Sequence, residues 1–85
     1  MVGMTKALQA GRYRSIPALL RELRESAGLT QRELARLLGS KQPLVHKTEV
    51  GERRADITEF LDWCLACGAD PEAVFRRLVR TRRPQ

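Results

Sequence analysis

Eighty-five residues are enough for one small domain, and 42% hydrophobic residues can give such a domain a core. The formal net charge of +6 indicates an anionic partner, because a domain of this size stays soluble with far less charge. No apolar run is long enough to span a membrane and the N-terminus lacks a signal-peptide core. We therefore expect a cytoplasmic protein with no membrane partner.

Residues 1–14 are expected to form a flexible basic arm in front of a folded domain at residues 15–80. The arm has a break at Gly11, and Arg12 and Arg14 lie nearest the domain. Their guanidinium groups are candidates for contacts to phosphates of an anionic partner. The competing interpretation is a frayed terminus whose charge is incidental.

A first helix is predicted to begin with Ser15 as its N-cap, to carry Pro17 in its first turn and to end before Gly28. Apolar and charged residues then recur at helical spacing on opposite sides. The predicted buried stripe is Ile16, Leu19, Leu20, Leu23 and Ala27, and the predicted solvated face is Arg21, Glu22, Arg24 and Glu25.

Two short helices are predicted next. Thr30 and Glu33 have the spacing of a capping box, so a helix should begin at Gln31, carry Leu34, Leu37 and Leu38 as its apolar stripe and end at Gly39. Another should follow almost at once and end near Gly51. So tight a turn makes the two helices cross steeply and leaves one outer face in solvent. That face carries Lys41, Gln42, His46 and Lys47.

A fourth helix is predicted from Ile57 to about Cys67, and a fifth from Pro71. Asp56 and Glu59 repeat the capping-box spacing, and Asp70 precedes Pro71 as an N-cap. The predicted inward residues are Ile57, Phe60, Leu61 and Cys64 in the fourth helix and Val74, Phe75, Leu78 and Val79 in the fifth.

The surface of the last two helices leaves alternatives open. Trp63 and Leu65 either cover the edge of the core or form an exposed patch for a second subunit. The arginines from Arg76 onward either pair with the acidic fourth helix of the same or a partner subunit or bind a second stretch of nucleic acid. Residues 81–85 are expected to be a disordered basic tail.

The sequence contains few of the residue patterns that catalysis or metal binding requires. Cys64 and Cys67 have the C-x-x-C spacing, but the α/β context of a redox motif and the further ligands of a zinc site are missing, which favours small buried hydrophobes. His46 is the only histidine, and there is no glycine-rich phosphate loop. We expect no enzyme activity, no cofactor and no metal.

The centre of the chain resembles the helix-turn-helix core of the phage repressor and Cro family, also called XRE-like regulators. The resemblance covers residues 16–78 and departs from the family at Pro43, Thr48 and Val50. It rests on Leu29-Thr30-Gln31, Glu33-Leu34-Ala35, Leu38-Gly39, Gln42, Val45, Glu49 and Gly51-Glu52-Arg53-Arg54.

This resemblance implies an all-α, lambda repressor-like bundle of about five helices that binds double-stranded DNA as a homodimer, with the third helix in the major groove. Lys41, Gln42, His46 and Lys47 would read bases. Gln31, Arg53 and Arg54 would contact phosphates, joined by Arg12 and Arg14 of the arm.

Two functions from different classes fit this sequence. The first is a sequence-specific transcriptional regulator, a repressor at a palindromic operator. The second is a protein-interaction module with the same fold, such as an antitoxin that neutralises a toxin or an adaptor to a larger complex.

Overall fold

The computed structural model describes residues 15–81, which form five α-helices and no strand. These are α1 (Ser15–Ser26), α2 (Gln31–Leu37), α3 (Gln42–Glu49), α4 (Ile57–Ala66) and α5 (Pro71–Thr81). The predicted all-α bundle of about five helices is thus confirmed. No helix in the described part is long and apolar enough to cross a membrane. The predictions for Arg12, Arg14 and the last four residues lie outside the described residues, whereas Thr81, assigned to the tail, closes α5.

Two capping boxes start α2 and α4 where the sequence predicts them. The Glu33 backbone N–H donates to Thr30 Oγ1 at 3.0 Å, and the Thr30 N–H donates back to Glu33 Oε1 at 2.8 Å. The Thr30 backbone, and then its side chain, hold the pKa of Glu33 below its usual value. Asp56 and Glu59 make the same reciprocal pair at 2.8 and 2.9 Å. Both helix starts are therefore determined locally.

The turn between α2 and α3 depends on Gly39, whose φ of +65° suits a residue without a side chain. The Gly39 N–H donates to the Arg36 carbonyl, and the Ser40 N–H donates to the Ala35 carbonyl at 2.8 Å. These two bonds satisfy carbonyls that the end of α2 leaves open. The next residue, Lys41, is already the N-cap of α3, so the two helices pack closely against each other.

The core lies between α1 and the four later helices. Trp63 is its largest side chain and is only 1% exposed, and its indole Nε1–H donates to the Leu20 carbonyl at 3.0 Å. The buried hydrophobic residues are Leu19, Leu20, Leu23, Leu34, Ala35, Val45, Phe60, Trp63, Cys64 and Val74. Trp63 is therefore part of the core, and the alternative that it forms a subunit-binding patch with Leu65 is wrong.

The predicted inward faces of α4 and α5 are wrong at four positions. Ile57 is 64% exposed, Phe75 is 53% exposed, and Leu61 and Val79 are also exposed. The α4 sequence is apolar on more than one side, so its helical spacing fits more than one buried stripe. The observed rotation buries Trp63, the larger group, and leaves Ile57 and Leu61 outside.

Smaller corrections concern α1 and α2. Ala27 and Leu37 are exposed although both were predicted to be buried. The side chain of Arg24, predicted to lie on the solvated face of α1, is mostly buried. Among the arginines of α5, Arg77 pairs with Glu22 of α1 at 2.8 Å and not with the acidic α4.

Candidate nucleic-acid interface

The outer face of α3 is polar and accessible, as predicted. Lys41, His46 and Lys47 are exposed, and Gln42 is half-buried. The opposite face of α3 holds the helix in the domain, because Val45 is completely buried there. These four polar side chains are therefore presented by a helix whose other side is anchored in the core.

Thr48 occupies a buried position where the related pattern usually has an aliphatic residue. It is 1% exposed, and its hydroxyl donates to the Leu44 carbonyl at 2.7 Å. That bond satisfies the hydroxyl inside the core, so the departure from the pattern leaves α3 intact.

The first residues of α2 and α3 are joined by their side-chain amides. Gln42 Nε2 donates to Gln31 Oε1 at 2.8 Å. Pro43 at the second position of α3 costs no hydrogen bond, because N–H groups in the first turn have no helical partner. The predicted phosphate-contacting glutamine and the predicted base-reading glutamine are thus in direct contact.

A buried ion pair lies behind these amides. Arg24 Nε donates to Glu49 Oε2 at 2.7 Å, and Arg24 Nη2 donates to Glu49 Oε1 at 3.1 Å. Gln31 Nε2 donates to the same Oε1 at 3.0 Å. Hydrogen bonding to Glu49 raises the pKa of Arg24 above its ordinary value. Breaking such a buried pair by removing one partner typically costs about 3–5 kcal/mol of stability.

Sequence reasoning missed the ion pair between Arg24 and Glu49. The two residues are 25 positions apart and belong to α1 and α3. No periodicity or capping pattern links positions so far apart. Only the packing of α1 against α3 brings the two charges together.

The two arginines after α3 differ in their surroundings. Arg53 is half-buried, and its Nη2 donates to Glu59 Oε2 of α4 at 2.6 Å. The Arg53 guanidinium, which the resemblance assigns to phosphate, is thus also paired within the protein. Arg54 is exposed. Arg54 is thus the better placed of the two to contact an external anion.

The exposed charges on and beside α3 are mostly positive: Lys41, Lys47 and Arg54 outnumber the one carboxylate there, Glu52. At α4, by contrast, Asp56 at the N-cap and Asp62 are exposed carboxylates. A polyanion would meet less repulsion on the α3 side. Within residues 15–81, no group of three or more His, Cys, Asp or Glu side chains is placed to hold a metal ion.

Comparison with known proteins gives one match to a protein family and several to solved structures. A family described as "Helix-turn-helix domain" matches residues 18–82. An "XRE-family like protein" from Pseudomonas syringae pv. tomato is 44% identical, with a TM-score of 0.86 over 94% of this chain and 98% of that one. No match was found among curated protein sequences.

A second solved structure, "the clp gene regulator ClgR" from C. glutamicum, is similar in fold. It is 24% identical, with a TM-score of 0.73 over 87% of this chain and 96% of that chain. At this identity the likeness supports the helical architecture alone.

Proposed function

Because the chain belongs to the XRE-like family of helix-turn-helix DNA-binding regulators, we propose that it recognises a palindromic operator as a homodimer and represses transcription by occupying it. The observation that carries this proposal is the outer face of α3, where Gln42 and three exposed basic or amphoteric side chains stand on a helix anchored by Val45. An α-helix of this kind fits the major groove of B-form DNA.

Gln42 is the proposed reader of adenine. Its amide offers one acceptor and one further N–H beyond the bond to Gln31, which match the adenine N6 donor and N7 acceptor. Lys41 and Lys47 would donate to guanine O6 and N7 or to phosphate. His46 lies four residues after Gln42 and therefore faces the same side of α3.

Phosphate contacts would fix the protein's register on the duplex. Gln31 has a second Nε2 hydrogen beyond the one donated to Glu49, and this hydrogen is suited to a phosphate oxygen. Arg54, which is exposed, would contact phosphate, and Arg53 would do so while paired with Glu59. Arg12 and Arg14 of the N-terminal arm would add contacts beside the domain.

A second copy of the chain is the proposed occupant of an apolar groove between α4 and α5, which we call the α4–α5 groove. Its volume is about 440 Å³. It is lined by Ile57, Phe60, Leu61, Pro71, Glu72, Phe75, Arg76 and Val79. Glu72 and Arg76 carry opposite charges one helical turn apart. In a dimer with two-fold symmetry, Glu72 of each subunit would therefore face Arg76 of the other.

A dimer with two-fold symmetry would bind DNA whose sequence has the same symmetry, which is a palindromic operator. Two α3 helices related by a two-fold axis would enter successive major grooves roughly 34 Å apart, which predicts half-sites one turn of DNA apart. Repression then requires only that the occupied operator overlap a promoter.

Selection of bound duplexes from a random DNA pool, followed by titration of the selected duplex and a scrambled duplex, tests this function. We expect Gln42→Ala to cost about 1–3 kcal/mol on the selected duplex and little on the scrambled one. Arg54→Ala is the matched control. It should weaken both duplexes similarly and make the slope of log Kd against log salt shallower by roughly one.

Equal losses on the two duplexes for Gln42→Ala would exclude its base-reading role. If the wild-type protein binds neither duplex even at low salt, the regulator proposal fails, and the protein-interaction module, an antitoxin or adaptor, takes its place.

A further inference from the structure

Pro43 is an exposed residue on the outer face of α3. The buried side of this helix carries Val45, Thr48 and Glu49. Successive residues of an α-helix are turned by about 100°, so Pro43 points almost directly away from the buried side. It therefore stands at the centre of the face that is proposed to enter the major groove.

The chemistry of Pro43 differs from that of the residues beside it. Its ring has neither a donor nor an acceptor, whereas Gln42 and Lys47 can form hydrogen bonds. In the major groove, the C5-methyl group of thymine is the apolar feature that distinguishes one base from another. A ring placed against a polar base edge would leave that edge without a partner, which costs free energy. Pro43 therefore fits thymine better than the other bases.

The start of α3 holds Pro43 in a fixed position. Pro43 is the second residue of the helix, and the Leu44 N–H donates to the Lys41 carbonyl at 3.0 Å, which closes the turn around it. The ring fixes the backbone φ and loses almost no side-chain entropy when it becomes ordered. The N-terminal residues of the DNA-reading helix are the ones that contact base edges. Pro43 thus offers a rigid apolar surface at the end of α3 that would approach the bases.

We propose that Pro43 is a specificity-determining residue, whose ring packs against the C5-methyl group of a thymine in the base pair next to the adenine read by Gln42. This inference rests on the proposed function. It assigns a role to a residue at which the chain departs from the related pattern. Because Pro43 directly follows Gln42 in α3, the two side chains would reach neighbouring base pairs.

Uracil substitution tests the methyl contact in the wild-type protein. The probes are the duplex selected by the wild-type protein and copies in which each thymine of one half-site is replaced in turn by uracil. This replacement removes one methyl group and keeps the base pairing. We expect a roughly 4-fold higher Kd at one thymine, next to the base pair where Gln42→Ala loses its preference. The measurement needs no variant to fold.

A pair of cytosine probes separates the methyl group from the shape of the DNA. The sensitive base pair is replaced by cytosine with guanine, or by 5-methylcytosine with guanine. The 5-methylcytosine duplex should bind roughly 4-fold more tightly than the cytosine duplex, because both pyrimidine methyl groups occupy the same place in the groove. Equal binding of these two duplexes would show that uracil acted through DNA shape, and it would overturn the inference.

The variant Pro43→Ala connects the methyl effect to this residue. Alanine suits the first turn of a helix and removes the outer carbons of the ring, so the uracil and thymine duplexes should now bind alike. A proline that only stiffened the start of α3 would change both affinities equally and leave their ratio unaltered. Circular dichroism at the assay temperature shows that the variant is folded.

Val50→Ala is the matched control. Val50 is an exposed apolar residue on the same side of α3, but it lies two turns later, about 10 Å farther along the helix. Its truncation should leave the ratio unchanged. A ratio near one at every thymine in the wild-type protein, or an unaltered ratio in folded Pro43→Ala, overturns the inference while the regulator proposal stands. A wild-type protein with no preferred duplex overturns both.

Discussion

Cys67, which follows α4, shows how burial alters the chemistry of a single side chain. Burial, followed by the neighbouring Cys64 thiol, raises the pKa of Cys67 to about 11. Burial also raises the pKa of Cys64. Both cysteines are free thiols. Reactive cysteines have lowered pKa values, so this pair has the character of packing residues.

We expect the alkylation of Cys67 by iodoacetamide to depend on pH with a midpoint near 11 in the folded protein. In the urea-unfolded chain the midpoint should lie near the ordinary thiol value of about 8.5. Peptide mapping by mass spectrometry after timed quenching gives the rate at each cysteine.

The same shift has a consequence for stability, because a raised thiol pKa favours the folded state only while the thiol is protonated. Its contribution is complete below the unfolded pKa and is lost as pH rises through the folded value. A midpoint near 8.5 in the folded protein would contradict the raised pKa.

Among the elements, α3 differs from α2 and α4 in how it begins. Its N-cap, Lys41, has an extended backbone with φ of −118° and ψ of 151°, but its side chain makes no capping hydrogen bond. Asparagine, aspartate or serine at this position would satisfy one of the first N–H groups. A lysine there lacks that stabilisation but places a cation beside the outer face of α3. Residues that serve function often reduce stability in this way.

Lys41→Asn should therefore stabilise the protein by about 1 kcal/mol and weaken its binding to DNA. Urea denaturation measures the first effect and titration of the selected duplex the second. Ser40→Asn is the matched control, because residue 40 precedes the N-cap and should gain no cap. Equal stabilisation by both substitutions would show that asparagine acts through something other than the cap.

The helix starts could be predicted from the sequence because their causes are local. Thr30 with Glu33, and Asp56 with Glu59, lie within one turn of each other, and each pair forms as expected. The buried faces of α4 and α5 depend on what packs against them, which spacing alone does not reveal. Trp63 was therefore left undecided, and Phe75 was placed on the wrong side.

The candidate site likewise has features that the sequence predicts and features that it does not. The exposed positions of Lys41, His46 and Lys47 follow from helical periodicity once the two ends of α3 are known. The contact between Gln31 and Gln42 and the burial of Glu49 do not, because both require the relative placement of separate helices. At this site the sequence indicated the exposed side chains of α3 and missed the hydrogen bonds between helices.

At the scale of the whole molecule, exposed apolar side chains are concentrated on the two helices that follow the helix-turn-helix. Ile57, Leu61, Phe75 and Val79 line the α4–α5 groove, and Leu65 is exposed outside it. An exposed apolar groove bordered by opposite charges is typical of an interaction surface. Dimerisation there would bury the largest exposed aromatic group of the described residues, Phe75.

Phe75→Asp should convert the proposed dimer into a monomer, because two buried carboxylates would face the apolar groove across the axis. Sedimentation velocity at micromolar concentration gives the oligomeric state, and affinity for the palindromic duplex should fall more than that for a single half-site. Leu65→Asp is the matched control on the exposed surface outside the groove. A monomer from Leu65→Asp alone would move the interface to the Leu65 surface.

The brevity of α2 and α3 has one more consequence. They contain 7 and 8 residues, and helices below about 12–15 residues are marginal in water when isolated. A peptide containing only this region would not form stable helices. DNA recognition therefore depends on the intact fold and would not survive transfer of the segment alone. By thermodynamic linkage, a cognate duplex that engages only the native conformation must in turn protect the chain against denaturation.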